Sequence, residues 1–407
     1  MTIGAARLSC DEVEAITIAV DRALAVAGKR RTVSLDLFFQ LLHLRDAPTS
    51  ALPELLALRD LLLGMESLAL FRNATQCTLG HSRRLSTEFL PGWLIGRAQQ
   101  TSAREAVTDL DNFLGCATLE VAEVLAVDGP DPTDAIQFGD YQLVPWRALP
   151  DSDAKWDAVA SNLGAIPIPT AAVVRRHEIP STHRFPWAPA PYEPSATLDP
   201  ALDILRCVSA VTRSGYRLLH YWIEADPCMP WDLNRQSFGF DGRSLLRGAS
   251  IAPRAAGEIQ QTVAALATRT SADRDHLLVA LDRFNLACAT NHPVDRAIEL
   301  GIALECVFAP KKLSEGISAM VRVRAARFLG GNADERRKTF ETIKVLYALR
   351  SQVMHAGRFG AEESDKRWRD MAKVEQALEA GQVVVQRALL KVISDGPPDW
   401  EAHDLLG

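Results

Sequence analysis

The chain has 407 residues, more than one ordinary core organises, so two or three domains are expected. Apolar residues make up 47% and charged residues 24%, a globular balance that excludes a disordered or fibrous chain. A formal net charge of −6 excludes a surface coated in nucleic-acid-binding cations, although a local basic cleft depends on nearby charges and not on the sum.

Residues 1–15 lack the basic start and apolar core of a secretory signal. Residues 11–27 and 34–45 carry the apolar spacing of amphipathic helices, the second with Ser34 as N-cap, and a third helix is expected from Pro53 to about residue 65. From about residue 118 the pattern changes. TLEVAEVLAV, AIQFG, YQLVPWRAL and TAAVVRRHEI are short, β-branched or aromatic, and bounded by Gly, Pro and Asp, which predicts strands. Residues 1–179 therefore read as a mixed helix and strand region, expected to serve as a sensor or regulatory domain.

Residues 180–200 contain Pro180, Pro186, Pro189, Pro191, Pro194 and Pro200, a density that predicts an extended connector rather than a helix. A proline-rich peptide ligand is the other reading of that composition. Residues 201–252 form a bridging segment: 199–224 is helical by period and 226–250 is loop-like. From 253 to 395 everything reads as helix, with elements at 255–269, 273–290, 294–308, 313–329, 334–356 and 362–393. Asp273, Pro293 and Asp334 stand at starts, and Gly330, Gly331 and Gly357 at ends. The fold class expected is α+β overall, with an all-α C-terminal bundle.

Cysteines stand singly at Cys10, Cys77, Cys116, Cys207, Cys228, Cys288 and Cys306, an odd set without a CxxC pair. That predicts neither a disulfide framework nor a zinc knuckle, and points to the cytoplasm. No run of about 18 apolar residues suggests a membrane span. P-loop, Rossmann glycine, HExxH and GxSxG motifs are lacking, so no cofactor and no metal are expected. His177 and His183 flank Glu178 at a spacing that fits no firm metal motif. Trp222 and Trp231 read as packing residues, with base stacking as the other reading.

The chemistry is concentrated in 334–356, DERRKTFETIKVLYALRSQVMHA. Phe340, Ile343, Leu346, Tyr347, Val353 and Met354 form one apolar stripe, and Arg350 falls inside it. An arginine on a core-facing line costs desolvation unless it is paired. Glu305, between Ile302 and Phe308 in the 294–308 helix, lies on an apolar line of its own and is the natural partner. His355 lies in the last turn, where the negative end of the helix dipole favours a cation. Arg322, Arg324, Arg327, Arg336 and Arg337 supply positive charge for RNA phosphates, or else a solvated helix face.

The string LYALRSQVMHAG resembles the R-x4–6-H signature of HEPN domains, most closely the Apea-like HEPN subgroup, with Arg350, Ser351 and His355 as its fixed points. The glycine after the histidine is displaced by one position through Ala356. ALDRFNLAC (280–288), Asp295, IALE (302–305) and VRVRAARFLG (321–330) follow the family's order over about 140 residues. Other Arg/His pairs at Arg176/His183, Arg213/His220 and Arg269/His276 lack these companions.

The resemblance implies metal-independent RNA cleavage. The 2′-hydroxyl attacks the adjacent phosphate and leaves a 2′,3′-cyclic phosphate and a 5′-hydroxyl. Arg350 and His355 are then the catalytic pair, with Ser351, Glu305 and Tyr347 in support. It also implies a homodimer through the C-terminal bundle, RNA as substrate, and a toxin or antiviral-defence role with an antitoxin or a phage-derived trigger as further partner. Five residues at about 100° each place Arg350 and His355 roughly 140° apart, so one chain is not expected to close the site alone. The competing reading is a non-catalytic HEPN bundle that binds RNA, nucleotide or protein, with Arg350 as an ion-pair partner and His355 as a helix cap.

Overall fold

A computed structural model of the chain describes residues 7–27, 53–68, 75–78, 81–84, 89–116, 118–150, 152, 155, 158–159, 167–180, 194–225, 234–237, 249–309, 316–361 and 363–400. The expected helix at 34–45, Ser34 included, and most of the proline-rich connector lie outside these residues. The fold is α+β. The chain divides into two compact units, one of residues 1–123, 176–195 and 222–235, the other of 124–175, 196–221 and 236–407. Among the described residues no helix is long and apolar enough to cross a membrane.

The first unit contains α1 (Cys10–Ala27), α2 (Pro53–Gly64), α3 (Phe89–Gln100) and α4 (Ala103–Gly115), with a hairpin of β1 (Thr75–Thr78) and β2 (His81–Arg84). α1 packs against α2, α3 and α4. Helical spacing explains α4. Ala103, Ala106, Val107, Leu110, Phe113 and Leu114 are all buried, and Ser102 accepts the Glu105 amide as N-cap.

A six-stranded sheet follows, built from β3 (Thr118–Asp128), β5 (Ile136–Phe138), β6 (Tyr141–Pro145), β7 (Ala171–Pro180), β8 (Arg217–Ala225) and β9 (Asn234–Ser237). Its order is β5-β6-β7-β3-β8-β9, and β6 is antiparallel to both β5 and β7. The short β4 (Pro130–Pro132) pairs in parallel with β10 (Ala249–Ile251).

Three expectations change here. Residues 199–224 are not one helix. α5 runs Pro194–Thr212, Arg213 turns to φ 57°, and Arg217–Ala225 is strand β8. The break falls at Ser214 and Gly215, and the segment beyond them is rich in residues that suit a pleated surface, Tyr221, Trp222 and Ile223 among them. The expected connector is helical from Pro194 onward. Pro194 stands in the first turn, where its missing N–H costs little, and only Pro200 sits inside the helix. Strands β9 and β10 likewise occupy parts of the expected 226–250 loop.

The C-terminal helices match the periodicity closely: α6 (Pro253–Ala267), α7 (Ser271–Ala289), α8 (Pro293–Phe308), α9 (Ile317–Leu329), α10 (Ala333–Ala356) and α11 (Met371–Asp395). α9 starts later than expected because Gly316, at φ 72°, precedes it. α11 also starts later, since residues 363–369 form a 3-10 helix and Asp370 caps Ala372. Phe284, Leu300, Leu304, Phe308, Ile343, Leu346, Leu378 and Leu389 are among the residues of their shared core.

Candidate ribonucleolytic site

The candidate site lies where α10 crosses α8 within the second unit. α10 is defined at both ends by local chemistry. Asn332 accepts the Asp334 and Glu335 amides at 3.0 Å each, and the Glu335 carboxylate accepts the Asn332 amide at 2.9 Å, a reciprocal capping box. At the other end Gly357 takes φ 67°, a backbone state that costs any side chain, and its amide closes on Val353.

Inside that helix Ile343, Leu346, Tyr347 and Val353 are buried as the stripe predicts, and Phe340 is half-buried. Met354 is not on it. It is 62% exposed, and the neighbouring Ser351, His355, Ala356 and Gly357 are exposed as well. Only Val353 turns inward between residues 353 and 357, so the last turn of α10 stands clear of the bundle on most sides.

Arg350 pairs with Glu305. Nη1 donates to Oε1 at 2.6 Å and Nη2 to Oε2 at 3.1 Å, a two-pronged contact between guanidinium and carboxylate. The Tyr347 hydroxyl adds a longer bond to the same Oε1 at 3.4 Å, and the Arg350 guanidinium carbon lies 5.8 Å from the Tyr347 ring centroid. Burial, with the Glu305 charge second, pushes the Tyr347 hydroxyl well above the ordinary tyrosine range, so it remains a donor to Glu305. The pair is not sealed. The Arg350 side chain keeps 23% of its exposure and Glu305 keeps 25%.

Gly301, one turn before Glu305, belongs to this arrangement and escaped the sequence reading. A Cβ built there would stand 2.4 Å from Arg350 Cδ, so the glycine is the space the arginine stem occupies. The available signal was a glycine in the middle of α8, between Leu300 and Ile302.

The other arginines separate by role. Arg324 is 5% exposed. It donates to the Phe308 carbonyl at 2.9 Å and lies 5.1 Å from the Trp400 ring, which removes it from any exposed basic face. Arg322 is half-buried, donates to the Ser318 carbonyl and packs over Phe340. Arg327 is half-buried, while Arg336 and Arg337 are exposed at the far end of α10 from His355.

The remaining candidates have local explanations. Trp222 is fully buried and donates to Glu224 at 2.9 Å, as a packing residue does. His177 lies 3.0 Å from the buried Glu123 in the first unit. Arg213 ends α5 and pairs with Glu379, while His220 is buried in β8, so that Arg/His pair shares no helix. His183 and Trp231 lie outside the described residues. Among the described residues, no group of three or more His, Cys, Asp or Glu is placed to hold a metal.

What the α8–α10 crossing offers is chemically simple. A guanidinium fixed in orientation, with part of its surface exposed, shares a helix with an exposed imidazole beyond it. Comparison with known proteins returned no matching family model, no matching curated protein and no matching solved structure.

Proposed function

We propose that the chain is a metal-independent endoribonuclease with a HEPN-type C-terminal bundle. The observation that carries the reading is the presence of a seated, partly exposed Arg350 and an exposed His355 on one helix. In this reaction a 2′-hydroxyl attacks the neighbouring phosphorus and the 5′-oxygen departs. His355 moves the proton, the role for which an imidazole near neutral pH is suited. Arg350 donates hydrogen bonds to the phosphorane oxygens as charge gathers on them. Because the two side chains diverge by roughly 140° around the helix, the working site is shared by two copies joined through the bundle. The biological setting that accompanies this chemistry is a cytoplasmic toxin or antiviral effector released by an antitoxin or phage-derived trigger, with the N-terminal region as sensor.

The test is incubation of the purified chain with total RNA in EDTA, followed by analysis of the new ends. Cyclic 2′,3′-phosphate and 5′-hydroxyl ends are expected, and they should disappear in His355→Ala. Cleavage abolished by EDTA and restored by magnesium would overturn the metal-independent mechanism.

One observation favours a second reading, the two-pronged Glu305–Arg350 pair itself. An inert bundle that binds a partner without cutting it would use that pair purely to join α8 to α10. Intact RNA after prolonged incubation, alongside a well-folded dimer, is the result that selects this reading.

A further inference from the structure

Two positions of α8 hold Arg350. The missing side chain of Gly301 leaves the space for its stem: a Cβ there would lie 2.4 Å from Cδ and 3.0 Å from Nε. Four residues on, Glu305 takes one hydrogen from each terminal nitrogen. Nε is buried and has no acceptor, so it takes no part in the grip on the carboxylate. Each terminal nitrogen carries two hydrogens. The pairing therefore leaves one on each, on a side chain that retains 23% of its exposure. The guanidinium has a fixed orientation, two N–H groups to offer, and a carboxylate in contact that cancels its charge.

We infer that Gly301 and Glu305 are positioning residues that make Arg350 selective for a phosphodiester monoanion over a phosphomonoester dianion. This rests on the ribonuclease reading of the site. The two N–H groups left over lie on different edges of the guanidinium and diverge, so a phosphodiester takes a single hydrogen bond from one of them, at one non-bridging oxygen. Such a group brings one negative charge. A terminal phosphate brings about −1.5 to −2 at neutral pH and meets the Glu305 carboxylate across the same guanidinium. Glu305 thus sets a charge filter that admits the interior of a nucleic acid strand and discriminates against free nucleotides and phosphorylated ends.

Two measurements on the full chain test this. In protein labelled with nitrogen-15 arginine, the buried Arg350 Nε–H should give a slowly exchanging resonance, assigned by its loss in Arg350→Lys. Gly301→Ala should abolish or shift it. An unmoved resonance in a folded Gly301→Ala protein overturns the seat. If Gly301→Ala does not fold, the double change Gly301→Ala with Arg350→Ala should restore folding by removing the clash, and failure to do so also overturns it.

The second measurement is binding of a single-stranded oligodeoxynucleotide, which lacks the attacking hydroxyl, with a dinucleoside phosphodiester and AMP as competitors. The diester should compete about tenfold better than AMP in the wild type, and Glu305→Gln should bring the two close to equal. Equal competition in the wild type, or an unchanged ratio in Glu305→Gln, overturns the charge filter. An oligonucleotide that binds wild type and Arg350→Ala equally removes the ribonuclease reading of this site and the filter with it. The Nε–H resonance still judges the seat independently.

Discussion

At the scale of single residues, Arg350 and His355 differ in what each holds up. Arg350→Ala strands the Glu305 carboxylate beside Tyr347. Breaking a fully buried pair costs about 3–5 kcal/mol, and surface pairs contribute about 0–1, so a pair that keeps a quarter of its exposure should fall between, at about 1–3 kcal/mol. His355 touches nothing comparable in the last turn, and His355→Ala should cost about 1 kcal/mol or less. The expected thermal melts are a His355→Ala protein close to wild type and an Arg350→Ala protein that melts lower, with Glu305→Gln in the Arg350→Ala background recovering part of the loss. If His355→Ala unfolds the protein and Arg350→Ala does not, the histidine is structural and the inert-bundle reading takes over. The Arg350–Glu305 partnership was legible because both residues interrupt apolar lines, which only a partner makes tolerable. Gly301 was not, since spacing rules register side chains, and the relevant fact at 301 is the absence of one. Met354 misled because it fits the helical period, yet it is 62% exposed in the last turn of α10, where only Val353 turns inward.

At the scale of elements, the C-terminal helices were legible because caps and periodicity agree there. Pro293, Asp334 and Gly357 stood at ends as expected, although the cap itself at the start of α10 is Asn332 with Glu335, which the sequence reading did not name. The segment after Thr212 was not legible, because alternation and helical spacing are hard to separate in an apolar run as short as RLLHYWIEA, and the positive φ of the turn falls on Arg213 rather than on Gly215. α5 is tied to α7 by a group that the period alone does not reveal. Asp203 pairs with Arg206 at 3.0 Å and with Arg274, while Arg206 also grips Asp282 at 2.6 Å. Burial raises the Asp203 pKa above the ordinary aspartate value, against the lowering effect of both arginines. A carboxyl that is harder to ionise when folded binds its proton more tightly in the native state. Between about pH 4, where an unfolded aspartate titrates, and the raised native value, the native chain holds more protons than the unfolded one, so stability falls as pH rises through that window. Asp203→Asn should flatten this slope in urea melts collected from acid toward neutral pH. Parallel slopes in wild type and variant would mean that Asp203 titrates normally.

At the scale of the whole molecule, the geometry of one helix constrains the assembly. A separation of five residues turns Arg350 and His355 roughly 140° apart, which suits two copies contributing to one cleft better than a single copy closing its own. If each site takes Arg350 from one protomer and His355 from its partner, two dead variants should repair each other. Arg350→Ala still supplies His355, and His355→Ala still supplies Arg350. On equal mixing with subunit exchange, half of the dimers are mixed and each has one of its two sites intact, so about a quarter of wild-type activity should return. The measurement is the rate of cyclic-phosphate formation from RNA after the two variants are mixed, partly unfolded and refolded together. Light scattering at tens of micromolar establishes the dimer in each sample. A dimer that recovers no activity places Arg350 and His355 of one copy in the same site, by a rearrangement of the exposed last turn of α10. A monomer with full nuclease activity would defeat the shared site altogether.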